Sequence, residues 1–387
     1  MPHVLFHRPT VWRSQVECST KVLARLFGAF GAEVSYLQAP LDPVHLLRGT
    51  QGYLRIWRRG PERDGPVRVL TPATPVPVRD LWPLNTLAAA QLRYAAAWPA
   101  LARLAPAPDL VWTTVPGSGA ALRRAFPGAH LVFHVVDYYP AFRGSAVQPL
   151  ERSDYAAADS ILTIGETLRD YLTAELGVPA RKVAVLGQGV SLERYAAPGP
   201  EPEPLRALPR PRAVWSGVLA KGDPPLFRAA AETLAAAGGS LVLIGPPAGW
   251  ATALADAFPA TVQLQGPVPA AALPAWLMHC DVGLMLYDRR RAEVYRGQNP
   301  LKLYEYAAAG LAILSTPHEE YRHLDPPVAV VTDEDATRAA LSAALARRES
   351  LRPAALAFAR GHSWRDKATA LFERFLAQPA AADGATA

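Results

Sequence analysis

The sequence predicts an α/β protein with two doubly wound, Rossmann-like domains that face each other across a cleft. The chain has 387 residues and is 50% hydrophobic, which is enough to bury the cores of two domains. Short apolar runs alternate with alanine-rich helical segments along both halves, as in a parallel sheet that is covered on both faces. A proline-rich stretch, 196–212, separates the halves and has the composition of a linker.

The predicted strands follow a similar plan in the two halves. In the first half they are 3–6, 33–39, 67–73, 109–115, 130–137 and 160–165, and in the second half they are 212–219, 240–246, 261–268, 281–288, 311–316 and 328–334. We therefore predict an N-terminal domain over 1–190, a linker over 191–211, a C-terminal domain over 212–362, a C-terminal helix over 363–378 and a disordered tail over 379–387.

Composition excludes several classes of protein. Cys18 and Cys280 lie far apart, so a disulfide framework and a cysteine metal cluster are both excluded, and a reducing compartment fits best. The N-terminus has no secretory signal pattern, and no apolar run approaches the roughly 20 residues that cross a bilayer. We expect a cytoplasmic protein, either soluble or peripheral at the inner face of the cell membrane.

The positive charge is concentrated in the first half. Residues 1–190 carry the whole formal excess of +6, whereas residues 191–387 are balanced. Segments 6–13 and 53–60 interleave arginine with aromatic residues, which is typical of contact with an anionic membrane surface or a nucleic acid. No zinc-finger spacing, RNA-binding signature or basic helix supports nucleic acid. We expect an anionic membrane partner, with a solvated arginine-rich surface as the alternative.

The segment "GQNPLKLYEYAAAG", 297–310, predicts a short helix that leads into a buried strand, "LAILST". Pro300 suits a first helical position, and Gly310 suits a left-handed cap at the end. Lys302 and Glu305 are three residues apart and so lie on neighbouring faces of one turn. They either serve a ligand or form an ion pair with each other.

Other chemistry-bearing residues follow predicted strands, where open parallel sheets bind their ligands. Asp137 and Gly245 end such strands, and Gly217 lies within the predicted segment 212–219. The sequence has neither a phosphate loop of the nucleoside-triphosphatase type nor a dinucleotide glycine fingerprint, so ATP bound through such a loop and NAD bound in the usual way are excluded. The acidic triplet 333–335 has the position of a helix start, and we expect no metal.

Taken in order, the motifs resemble those of glycosyltransferases with the GT-B fold, in the large group 1 family. The C-terminal half carries "GVLAKG", "VLIGPP", "TVQLQGPVP", "DVGLMLY", "NPLKLYEYAAAGLAILST" and "HSWRDKATALFERFL". The N-terminal half adds "HVVDYYPAF", "ERSDYAAADSILTIGETL" and "GQGVSLERY". The resemblance covers essentially the whole chain. Within the family it is closest to bacterial polysaccharide enzymes, including the xanthan-type glucuronosyltransferases.

The resemblance implies transfer of a sugar from a nucleoside diphosphate donor, UDP-linked and possibly a uronate, to a hydroxyl of a glycan or glycolipid in cell-surface polysaccharide synthesis. No further cofactor is implied. Lys302 at a helix start would lie near the diphosphate, and Glu305 would accept hydrogen bonds from the ribose. The other expected donor-site residues are Gly217, Lys221, Gly245, Tyr287, Arg291, Glu293, Asn299 and Leu301. The arginine run that contains Arg291 would suit a uronate carboxylate.

On the acceptor side the resemblance makes Asp137 the general base, in a desolvated position that would raise its pKa. The alternative is an aspartate that caps the following helix or turn. His7, Arg8 and Arg13 follow the first strand, where phosphates of a lipid-linked acceptor could bind, and Tyr138 is a further acceptor contact.

One residue departs from the family pattern. Many members carry two glutamates separated by seven residues, and Gly297 stands where the first is expected. Donor-sugar recognition and stereochemical outcome therefore stay open. A catalytically silent partner of an assembly complex that binds a nucleotide sugar or glycan is one alternative function, and a UDP-sugar epimerase of the same fold is another.

Overall fold

The computed structural model describes residues 1–7, 11–14, 17–38, 44, 62–71, 86 and 107–377. The chain forms two compact units, each built around one sheet. The first unit comprises the described residues within Met1–Ser14, Cys18–Gly187 and Arg365–Ala387, and the second comprises those within Gln15–Glu17 and Gln188–Trp364.

The sheet of the first unit has eight strands in the order β3-β4-β2-β1-β5-β6-β7-β8. Its strands are β1 (His3–His7), β2 (Glu33–Leu37), β3 (Glu62–Asp64), β4 (Val67–Leu70), β5 (Leu110–Thr113), β6 (His130–Val135), β7 (Ser160–Thr163) and β8 (Val183–Val185). Only β3 is antiparallel to its neighbour among these described strands. The helices up to this point are α1 (Ser19–Ala29), α2 (Gly119–Ala125), α3 (Pro140–Arg143), α4 (Gln148–Ala157) and α5 (Glu166–Asp170).

The sheet of the second unit has six parallel strands in the order β11-β10-β9-β12-β13-β14. Its strands are β9 (Arg212–Ser216), β10 (Ser240–Ile244), β11 (Val262–Gly266), β12 (Val282–Met285), β13 (Ala312–Ser315) and β14 (Val328–Val330). Its helices are α6 (Glu203–Arg206), α7 (Pro224–Ala236), α8 (Gly249–Ala257), α9 (Leu273–Met278), α10 (Leu301–Ala308), α11 (Tyr321–Leu324) and α12 (Glu334–Arg360). This strand order is that of a Rossmann sheet, and it reverses between β9 and β12.

The chain ends, within its described part, in helix α13 (Trp364–Leu376), most of which belongs to the first unit. The ring of Phe372 meets those of Phe27 and Phe30 edge-on, with centroids 5.8 and 5.7 Å apart. Such aromatic pairs add specific contact energy to the burial of apolar area. The C-terminal segment therefore completes the N-terminal unit. The predicted tail over 379–387 lies outside the described residues.

The two-sheet α/β architecture predicted from the sequence is confirmed, and each of the twelve predicted strands corresponds to one in the structure. The observed strands are shorter, as Val282–Met285 within 281–288 shows. Burial continues past the strand end at Leu286 and Tyr287, so hydrophobicity alone overestimates its length. The charged edge strand β3 had no apolar signal.

The proline-rich segment predicted as a linker packs against the second unit. Leu205, on the short helix α6, is fully buried in the same core cluster as Trp215. No helix among the described residues is long and apolar enough to cross a membrane.

Candidate functional site

Helix α10 carries the 297–310 motif and lies beside the point where the strand order reverses. It begins at Leu301, after Pro300 in an extended conformation (ψ 129°), so Pro300 is the N-cap and not the first helical residue as predicted. Gly310 has φ +72°, which confirms the left-handed cap. Strand β13 follows directly.

The two tyrosines of the motif attach α10 to the rest of the unit. The backbone N–H of Ser216, at the end of β9, donates to the hydroxyl of Tyr306 over 2.8 Å. A side chain at Gly283 would meet the Tyr306 ring at 2.4 Å, so a glycine is needed there. The hydroxyl of Tyr304 donates to Oδ1 of buried Asn299 over 2.8 Å. Asn299, predicted to bind the donor, therefore supports the helix start.

Lys302 lies in the first turn of α10 and is partly exposed. Its Nζ is 3.3 Å from the ring centroid of Trp215 on β9 and 4.9 Å from that of Tyr287, just after β12. The ammonium group thus lies at the switch point of the sheet, held by cation–π attraction. Burial lowers the pKa of Lys302 well below its usual value, and the nearby charge of Lys221 lowers it further. An anionic ligand here would relieve both effects.

Glu305 lies one turn further along α10 and is also partly exposed. Burial raises the pKa of its carboxyl to about 7, although the charges of Arg194 and Lys302 act in the opposite direction. The described structure shows no salt bridge between Lys302 and Glu305, so the predicted alternative of an i,i+3 pair is not formed. Two opposite charges therefore lie near each other and both are available to a ligand.

Two glycines bring the backbone close to these charges. Gly217 and Gly245 follow the neighbouring strands β9 and β10, with φ values of +128° and +150°. A Cβ at Gly245 would lie 1.8 Å from the carbonyl oxygen of Gly217, and one at Gly217 would lie 3.3 Å from Nζ of Lys302. Lys221 ends a short 3-10 turn that follows. The structure thus brings together Gly217, Lys221, Gly245, Tyr287, Leu301, Lys302 and Glu305 of the predicted donor residues.

The arginine run beside this site is mostly engaged in ion pairs. Arg289 pairs with Asp223 at 2.8 Å and with Glu334 at 3.0 Å, and Arg290 pairs with Asp288 at 2.9 Å. Arg291 and Glu293 are exposed on the same turn, and of these two only Glu293 lines the neighbouring cavity. That cavity has a volume of about 520 Å³.

Among the lining residues that sequence reasoning missed, His318 is the most informative. It follows β13 in the segment "STPHEE" and is only 7% exposed, yet neither ring nitrogen has a hydrogen-bond partner among the described residues. Burial lowers its pKa to about 4, so the imidazole is neutral at physiological pH. Its position after a strand was the only sequence signal, since a lone histidine matches no motif.

The acceptor-side candidates lie in the first unit. Asp137 is partly exposed and follows β6, as predicted. The N-cap of α3 is Tyr139, so Asp137 does not cap that helix. The ring of Tyr138 meets Tyr171 edge-on, with centroids 4.8 Å apart. Asp137 therefore stays a candidate for the base, since it follows β6 and is partly exposed.

The residues that follow β1 are placed differently. His7 is buried, and its Nδ1 hydrogen-bonds Oγ1 of Thr113 on β5 over 2.9 Å. Burial also lowers its pKa to about 4. Arg13 forms an exposed ion pair with Glu62, and Arg8 lies outside the described residues. In the part of the chain that the structure describes, no three His, Cys, Asp or Glu side chains are grouped as metal ligands.

Comparison with known proteins bears on both units. Residues 19–189 match the family model "Glycosyl transferase 4-like domain", and residues 224–373 match the model "Glycosyl transferase-like". A search of curated protein sequences finds no match.

Solved structures match along nearly the whole chain. Sucrose-phosphate synthase from Thermosynechococcus elongatus is 14% identical with a TM-score of 0.71, covering 97% of this chain and 98% of its own. HepE from Anabaena, in complex with UDP and glucose, is 13% identical with a TM-score of 0.67, covering 97% and 99%. WaaG, a glycosyltransferase involved in lipopolysaccharide biosynthesis, is 13% identical with a TM-score of 0.64, covering 98% and 100%. With a glycosyltransferase model matched in each half, the chain belongs to the glycosyltransferases, and it shares the GT-B fold of the solved structures from end to end.

Proposed function

We propose that this glycosyltransferase moves a hexosyl or glucuronosyl group from a UDP-sugar to a hydroxyl of a glycan or glycolipid, in the synthesis of a cell-surface polysaccharide. One observation carries the proposal. Lys302 and Glu305 lie at the switch point of the second sheet, beside the close glycine backbone of Gly217 and Gly245, and neither forms a salt bridge or hydrogen bond with another described residue. This arrangement suits a diphosphate joined to a ribose.

The proposed donor contacts follow from the chemistry of UDP. The two phosphates would lie against Lys302 and Lys221 and against the N-terminal end of α10 at Leu301, where backbone N–H groups attract anions. Glu305, when ionised, would accept from both ribose hydroxyls. Similar structures support UDP as the nucleotide, because HepE was solved with UDP and an E. coli trehalose-6-phosphate protein with UDP-2-fluoro glucose.

The acceptor side of the proposal rests on the first unit. Asp137 would take the proton of the attacking hydroxyl, with Tyr138 beside it. His7, Arg8 and Arg13 would meet phosphates of a lipid-linked acceptor. His7 and Arg13 would have to exchange their present partners for the ligand. We also propose that the arginine-rich first half contacts an anionic membrane at the cytoplasmic face.

The test is release of UDP. The full chain is incubated with a panel of UDP-sugars, with and without an extract of lipid-linked glycans. If the protein transfers a sugar, UDP is released only when the extract is present and only from one UDP-sugar of the panel. A labelled glycolipid product should form at the same time. Donor binding without acceptor-dependent release would contradict it.

A catalytically silent binding partner is the second candidate, and Gly297 favours it. Gly297 is buried with φ +65°, a conformation that a glutamate would adopt only with strain. The first glutamate of the family pattern therefore has no direct substitute at this position. A silent binder would hold the UDP-sugar and release no UDP.

A further inference from the structure

The cavity beside α10 has the features of a sugar subsite. Its volume of about 520 Å³ lies within the range of roughly 300 to 1,000 Å³ that is usual for small-molecule sites. The walls come from the segments after β12, β13 and β14, which are the carboxyl ends of these parallel strands. Ligands of open α/β sheets bind at such ends.

His318 is the polar group of this cavity that the protein itself does not satisfy. The side chain is only 7% exposed, yet both its ring nitrogens lack a hydrogen-bond partner in the described structure. The Tyr287 ring meets the imidazole edge-on at 5.2 Å, and the Tyr321 ring contacts it at 5.1 Å, so its orientation is fixed. Buried polar groups are nearly always hydrogen-bonded, and an exception requires an explanation. A neutral imidazole offers one donor and one acceptor, as a sugar hydroxyl does.

The cavity adjoins the proposed diphosphate position. Tyr287 lines the cavity and also lies under Lys302, whose Nζ is 4.9 Å from its ring centroid. The charge of Lys302 also contributes to lowering the pKa of His318, which places the two groups within electrostatic reach. A sugar attached to a diphosphate at Lys302 would therefore have the cavity as its neighbour.

The charges around the cavity favour an uncharged sugar. Arg289 lines it but is paired with Asp223 and Glu334. Glu293 and Glu319 line it as exposed carboxylates. Asp288, which pairs with Arg290, is a third lining carboxylate, so a uronate would add a fourth. Arg296 is the other arginine among the lining residues. The hydroxyls of a neutral hexose can donate to carboxylates without that repulsion.

We infer that this cavity holds the neutral hexose ring of the donor and that His318 is a specificity-determining residue that hydrogen-bonds its hydroxyls. The inference rests on the proposed function, because it requires that UDP binds at Lys302 and Glu305. It assigns hexosyl rather than glucuronosyl transfer.

The experiment compares the affinity of UDP with that of its sugars by calorimetry on the full chain. The probes are UDP, UDP-glucose, UDP-galactose, UDP-N-acetylglucosamine and UDP-glucuronate. The variants are His318→Phe, which keeps the ring contacts with both tyrosines, and His318→Gln, which keeps hydrogen-bonding groups. His323→Phe, at an exposed histidine on α11, is the matched control.

We expect one neutral UDP-sugar to bind about tenfold more tightly than UDP, the usual effect of a buried hydrogen bond or two. His318→Phe should abolish this gain, His318→Gln should keep part of it, and UDP itself should bind equally to all variants. If His318 has only a structural role, the two variants should rank the other way, by stability. His318→Phe should then be tolerated, and His318→Gln should have a lower melting temperature.

Three results would overturn the inference while leaving the proposed function standing. They are a gain that survives in His318→Phe, a largest gain for UDP-glucuronate, and UDP binding with no gain for any sugar. Failure of the wild-type chain to bind UDP would instead remove the proposed function and this inference with it.

Discussion

The two units differ in how they hold the polar residues that follow their strands. In the second unit, Lys302 and Glu305 have no salt bridge or hydrogen bond to another described residue, and burial disfavours the charged form of each. In the first unit, His7 is bonded to Thr113 and Arg13 is paired with Glu62. A polar residue at the end of a strand is therefore only a candidate. The lack of an internal salt bridge or hydrogen bond is what favours Lys302 and Glu305 as ligand residues.

The largest expected effect is on the transfer rate, and it comes from substitution of Asp137, the proposed base in the first unit. Asp137→Asn should lower the transfer rate by about 10² to 10⁴, because the amide cannot take the proton of the acceptor hydroxyl. UDP affinity and melting temperature should stay unchanged, since a base acts only on the acceptor. Rates are measured by UDP release with saturating donor.

The matched control is Asp170→Asn, at an exposed aspartate that ends α5. It should transfer at the wild-type rate. A normal rate for Asp137→Asn would remove this residue from the mechanism. A lowered melting temperature with unchanged turnover would assign it a structural role.

The next largest effect is on UDP affinity, and it tests Lys302 in the second unit. Lys302→Met should weaken UDP binding about ten- to hundredfold, the cost of losing charge-assisted hydrogen bonds to the diphosphate. The melting temperature without ligand should hold or rise, because methionine keeps the apolar contact with Trp215 and removes a charge that burial disfavours. Calorimetry and thermal unfolding on the same samples measure the two quantities.

Lys182→Met is the control, since Lys182 is also partly exposed and its Nζ donates to the carbonyl oxygen of Tyr155 over 3.2 Å. It should leave UDP affinity unchanged. If Lys302→Met lowers the melting temperature and binds UDP normally, the cation–π contact is structural and the diphosphate lies elsewhere.

These contrasts also show how far the sequence could reach. The 297–310 motif was predicted in useful detail because helix, cap and strand signals occur together in one short segment. The ion pair of Arg13 could not be predicted, since its partner Glu62 is distant in sequence and no local pattern reveals the pair. His318 was missed because burial and the lack of a partner are properties of the folded chain. Strand β3 was missed because "ERD" at a sheet edge needs no apolar residue.

A smaller effect concerns the pH dependence of Glu305. Its pKa is raised to about 7, so between pH 6 and 8 the carboxyl loses its proton and becomes able to accept two ribose hydroxyls. UDP-glucose binding through this group should therefore strengthen with rising pH, by up to about tenfold. UDP-glucose is chosen because its phosphates do not titrate in this range.

The contribution of Glu305 to stability should run in the opposite direction. A carboxyl whose folded-state pKa is raised stabilises the fold below its usual pKa, and this contribution is lost as the pH rises through about 7. Glu305→Gln should thus gain stability relative to wild type at pH 8 and lose the part of the binding profile that is due to Glu305. Identical pH profiles for the two proteins would contradict the ribose assignment.

The smallest expected effect concerns Tyr304, and it tests whether this residue of the 297–310 motif supports the fold or binds the donor. Tyr304→Phe removes the hydroxyl that donates to Asn299, so it should lower the free energy of unfolding by about 1 kcal/mol. UDP affinity should change less than twofold, because this hydroxyl is buried against Asn299, whereas Lys302 and Glu305 are partly exposed. Chemical denaturation and calorimetry give the two values. A tenfold loss of UDP affinity at unchanged stability would show that Asn299 contacts the donor directly, as the sequence suggested, and that the two faces of α10 do not have separate roles.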